Sequence, residues 1–127
     1  MFTKGFDAYM SGDYERAEQY YEEGRRLSPD HPGVPMCLVQ TAASAGQIDR
    51  AIRFVEEYAG HPESHPLATL THIFKHALKG EGEAADALTT EDLTEKIWSD
   101  FQYTHVMAQA QAALGREDEA LRWLERT

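Results

Sequence analysis

The sequence predicts an all-α protein, a right-handed α-solenoid of about three to four antiparallel helix pairs with the last one truncated. Three observations predict it. Gly12, Gly46, Gly80 and Gly115 recur at intervals of 34, 34 and 35 residues, and an alanine follows each after five positions: Ala17, Ala51, Ala85 and Ala120. Apolar residues between these glycines stand at helical spacing, as in Phe2, Phe6, Tyr9 and Met10, or Ile48, Ile52 and Val55, so that they share one helix face. Pro29, Pro32, Pro62 and Pro66 fall between the pairs, where a missing N–H and a steric clash stop a helix. A period of this length marks stacked repeats, each burying its apolar face on its neighbours.

At 127 residues the chain is read as a single domain of four units, 1–31, 32–64, 65–100 and 101–127. In the first unit a helix carrying Phe6 and Tyr9 turns at Gly12 into a second helix carrying Ala17 and Tyr21. The glycine is expected at positive φ in the turn, and the alanine where the two helices cross. The second unit repeats the plan around Gly46, with Pro35 in the first turn of its first helix, where proline is tolerated. The third is degenerate: Leu67, Leu70, Ile73, Phe74, Ala77 and Leu78 form one helical face, but the partner helix from about Glu81 to Leu88 is short. Thr89 and Thr90 then offer caps for an inserted helix beginning near Glu91. The fourth, from Phe101 through Met107, Ala110, Gly115, Ala120 and Trp123, stops inside its second helix. Pairs at i, i+4, namely Glu22 with Arg26, Asp49 with Arg53 and Asp118 with Arg122, are expected on the solvated faces of the second helices.

Gly5, Ala8, Gly12, Tyr14, Ala17, Tyr21 and Pro29 resemble the tetratricopeptide repeat, with Gly24 where that family usually has alanine. Gly46, Ile48, Ala51, Val55 and Pro62 resemble a second copy, with Val39 in place of the first-helix glycine. The segment His105 to Thr127 is similar to closing repeats of bacterial multidomain regulators, which implies an excised or short-ended array, a stand-alone protein being the alternative. The resemblance implies a non-enzymatic scaffold whose first helices line a concave groove for a peptide or protein segment. Carried over position by position, that groove holds Phe6, Tyr9, Met36, Gln40, Ser44, Leu70, Phe74, His105 and Gln109, flanked by Phe2, Met10, Ala43 and Leu78. The alternative for each apolar member is packing between helices. Replacing Phe6 and Phe74 by alanine is expected to weaken capture of a partner without unfolding. Family members that clamp a C-terminal carboxylate use Lys, Asn and Arg, whereas the corresponding positions here are Phe2, Phe6, Cys37, Leu67 and Thr71, which disfavours that ligand.

Charge narrows the partners. With 12 Lys plus Arg against 22 Asp plus Glu the formal charge is −10, which repels nucleic-acid phosphates and anionic membranes. The expected partner is a protein or peptide, with no nucleic acid, no membrane and no cofactor. Cys37 is the single cysteine, the N-terminal MFTKGFDAYM lacks the apolar run of a signal peptide, and no apolar stretch is long enough to span a bilayer, so the cytoplasm is the expected compartment. His72 and His76 stand at i, i+4 and are a weak metal candidate; no cysteine or metalloprotease glutamate accompanies them, and no metal is expected. No nucleophile elbow, phosphate loop or dinucleotide fingerprint is present, which argues against an enzyme. The acidic run from Gly80 to Glu95 reads as solvated surface, or as a patch for a basic partner. Self-association through a C-terminal end face around Leu121, Trp123 and Leu124, or service as the regulatory arm of a larger signalling protein, are the rival functional readings.

Overall fold

The computed structural model describes residues 2–98 and 100–125, leaving aside the side chains of Phe2 and Phe101. Nine α-helices run through the described residues: α1 (Phe2–Met10), α2 (Tyr14–Leu27), α3 (Gly33–Ser44), α4 (Ile48–Tyr58), α5 (Pro66–Leu78), α6 (Gly82–Leu88), α7 (Glu91–Ile97), α8 (Phe101–Ala113) and α9 (Glu117–Glu125). They form two compact units, Met1–Gly60 and His61–Thr127. In the first, α1 packs on α2, α2 on α3 and α3 on α4. In the second, α5 packs on α6 and α8, and lightly on α7, while α8 packs on α9.

The four periodic glycines build the same turn four times. Gly12, Gly46, Gly80 and Gly115 lie at φ of 81°, 82°, 76° and 77°. Each glycine N–H bonds the carbonyl three residues back, on Tyr9, Ala43, Ala77 and Ala112, at 3.0 to 3.1 Å. The following N–H, on Asp13, Gln47, Glu81 and Arg116, reaches the carbonyl five residues back, on Ala8, Ala42, His76 and Gln111, at 2.8 to 2.9 Å. This pair of bonds satisfies carbonyls that a helix C-terminus leaves open, and it needs a left-handed residue at the glycine. Five residues on, Ala17, Ala51 and Ala85 are fully buried and Ala120 nearly so. The third unit, degenerate in its second helix, therefore keeps the turn intact.

Side chains cap several helix starts, at Thr90 as expected and at Asp13, His65 and Asp100 besides. Asp13 accepts from the Arg16 N–H at 3.2 Å, Thr90 from Leu93 at 3.1 Å, and Asp100 from Gln102 at 2.9 Å. His65 Nδ1 caps α5 by accepting from Leu67 N–H at 3.1 Å, ahead of Pro66 at the first helical position. Thr90 is thus the cap of an inserted helix, and α6 is only seven residues long.

The helix-face ion pairs differ from expectation. Arg26 meets Glu23 at 3.5 Å and Arg122 meets Glu119 at 2.7 Å, both three residues apart and not four. Both spacings lie on one helix face, so the choice between them falls to side-chain rotamers, which sequence spacing does not specify. Arg25 also pairs with Glu22 at 2.9 Å and lies 4.3 Å from the centre of the Tyr58 ring on α4. The expected truncation of the last helix bears on residues 126 and 127, which lie outside the described residues.

Candidate protein-binding surface

The residues expected to line a groove divide by burial. In the first unit Met36 and Gln40 on α3 are buried at 2 % exposure, and Ser44 is half-buried. On α1, Phe6 is half-buried and Tyr9 buried, and the Tyr9 hydroxyl hydrogen-bonds the Ser44 hydroxyl at 2.8 Å. That bond joins the C-terminal ends of α1 and α3, the first helices of neighbouring pairs, and the Tyr9 ring also meets Tyr14 across the α1–α2 turn at 5.5 Å. Met10, by contrast, is 65 % exposed.

In the second unit Leu70 is fully buried and Phe74 is 4 % exposed, so both belong to the interior of the fold. His105 and Gln109 on α8 are half-buried. The expectation that Phe74→Ala spares the fold is corrected by this burial: removing a buried phenyl costs about 3–5 kcal/mol through lost transfer energy and a residual cavity. Helical periodicity identifies an apolar face but not whether a neighbour covers it, and α5 has neighbours in α6, α7 and α8. Of the positions that oppose a carboxylate clamp, Cys37, Leu67 and Thr71 are buried, and the Thr71 hydroxyl donates to the Leu67 carbonyl at 2.6 Å.

The histidine pair is differently engaged. His72 is buried, and His76 Nδ1 lies 2.8 Å from Glu81 Oε1, which holds the Glu81 carboxyl below its usual range. Among the described residues no three His, Cys, Asp or Glu side chains gather as metal ligands would. Among the described residues no helix is long and apolar enough to cross a membrane. Within the units, a recess of about 400 Å³ surrounds Glu18 and Arg50, and one of about 280 Å³ surrounds His65, Thr69 and Lys96. Their charged groups are ion-paired, Glu18 with Arg50 and Lys96 with Asp92.

Interactions across elements were not visible in the sequence. Glu18 on α2 reaches Arg50 on α4, and burial raises its carboxyl above the usual range despite that cation. Tyr21 is buried beside Cys37 of α3, which raises its phenol well above the ordinary value. Arg116 grips Asp86 of α6 through two bonds of 2.6 and 3.1 Å, and Gly82 leaves room for it: a Cβ there would come within 2.7 Å of its guanidinium.

Residues 8–67 match the family model of the tetratricopeptide repeat. This part of the chain is a tetratricopeptide repeat segment. The match spans α2, α3 and α4 entire, the loops between them, and the glycine turns at 12 and 46. Repeats of this family form a non-catalytic scaffold and mediate protein–protein interaction. No curated protein matches the chain significantly.

Proposed function

We propose that the chain is a protein-interaction scaffold that takes a peptide or protein segment along the first helices of its tetratricopeptide pairs. The observation that carries this reading is the Tyr9–Ser44 bond, which brings the ends of α1 and α3 together with Phe6 half-buried one helical turn earlier. A partly covered phenyl still has apolar area to bury against a ligand, and two adjacent hydroxyls can exchange their mutual bond for bonds to a backbone. His105 and Gln109 offer a smaller, polar counterpart on α8 of the second unit. The net charge of −10 disfavours acidic segments.

Selection of a displayed peptide library on the full chain tests this. Enriched peptides should lose at least roughly tenfold in affinity on Phe6→Ala, the weight of about 1.4 kcal/mol, while the helical circular dichroism of the variant stays that of the parent. Peptides that bind Phe6→Ala as tightly as the parent would remove α1 from the site.

A further inference from the structure

The chain has four methionines, and the three among the described residues part sharply by exposure. Met36 on α3 lies at 2 % and Met107 on α8 at 0 %, so the core closes over both thioethers. Met10, in the last turn of α1, is 65 % exposed. The repeat register makes this exposure part of the plan of the fold. Met10 stands two residues before its turn glycine, and the same place is taken by Ser44, Leu78 and Ala113 in the later units. Ser44 and Leu78 are half-buried and Ala113 is exposed, so no unit buries this place. Phe6 stands four residues before Met10, one helical turn away on the same face of α1, and Tyr9 beside them is bonded to Ser44. Met10 thus extends the proposed ligand surface with a flexible, polarizable apolar side chain.

We infer that Met10 is an oxidation site: a peroxide converts its thioether to the sulfoxide, and that conversion weakens peptide binding along α1 and α3. The inference rests on the ligand surface proposed above. In the reaction the sulfur attacks one peroxide oxygen, and the S–O bond forms as the O–O bond breaks. Sulfur loses two electrons, and the departing hydroxide takes the proton of the transferred oxygen and leaves as water. The product is polar where the thioether was apolar. In the free chain the new oxygen stays in water, so the fold bears no cost, whereas a peptide that covers it must strip that water away. A sulfoxide at Met36 or Met107 would instead be buried, and would disrupt the core.

The test treats the full chain with graded hydrogen peroxide, removes the peroxide, and locates the sulfoxides by peptide mass. Met10 should be converted before Met36 and Met107, with the helical circular dichroism and the urea midpoint unchanged. A peptide selected on the parent chain, with an affinity that depends on Phe6, should then bind roughly tenfold more weakly, the weight of one polar group covered without a partner. Sulfoxide reductases acting on both epimers, with a thiol donor, should restore the binding. Met10→Leu, which keeps Met1, should bind that peptide equally before and after peroxide. Earlier oxidation of Met36 or Met107, an unchanged affinity in chain oxidised at Met10, or a loss that persists in Met10→Leu would overturn the inference. Selected peptides indifferent to Phe6→Ala would overturn the ligand surface on which it rests, and the mass map tells that failure apart from an unreactive Met10.

Discussion

A methyl group at Gly5 would lie 2.5 Å from the Tyr21 ring, while one at Gly46 would meet nothing within 4 Å. Gly5 is helical and is glycine because a ring needs its space; Gly46 is glycine because its φ is 82°. Gly5→Ala should therefore cost about 1–3 kcal/mol as overpacking, and Gly46→Ala about 1–2 kcal/mol as left-handed strain, both read from urea unfolding. The two costs separate in a double mutant. In the second repeat the positions of Gly5 and Tyr21 are held by Val39 and Val55, both buried, so volume has moved from one helix to the other. Tyr21→Val should rescue part of the Gly5→Ala loss and none of the Gly46→Ala loss. Equal rescue of both would place the Gly5 requirement in the backbone. The glycine period was legible because it is a local backbone demand. The pairing of Gly5 with Tyr21 was not, since it spans two helices.

Between elements, charge placement sets a pH dependence. Glu18 is raised mainly by desolvation, with Arg50 opposing. A carboxyl raised on folding binds its proton more readily in the native state, so its cost to stability is full above the folded pKa and is relieved as pH falls through that value toward 4.5. Glu81, lowered by His76, acts in the opposite sense, contributing stability that is lost as pH falls below 4.5 through its folded pKa. Relative to Glu18→Gln, the parent chain should gain stability as pH is reduced from neutrality toward 4.5, measured as the difference between the two urea midpoints. A difference independent of pH would show that Arg50 compensates the burial of Glu18 in full. At this scale the inserted helix α7 was legible through Thr90, a cap that acts on its own next turn. Arg50 to Glu18 and Arg116 to Asp86 were not, because residues 32 and 30 apart meet only after the pairs have stacked.

For the molecule as a whole, the sequence pattern located the helix pairs but overstated the ligand surface. Leu70, Phe74 and Met36 stand on first helices at the positions a groove would use, yet they are interior, because α3 and α5 have neighbours on several sides. A binding surface is defined by what is left uncovered, and that depends on packing that no single helix records. Left uncovered or half-covered on the first helices are Met10, which is exposed, and Phe6, Ala43, Ser44, Leu78, His105 and Gln109, with Tyr9 bonded to Ser44. Under the proposed function, ligand engages α1 and α3. Amide hydrogen exchange of the full chain with and without a selected peptide tests it most directly. Added protection should concentrate in the amides from Phe6 to Met10 and in the last turn of α3 around Ser44, and should disappear in Phe6→Ala. Protection confined to α6, α7 or α9, with α1 and α3 unchanged, would rule out a site on the first helices of the first unit.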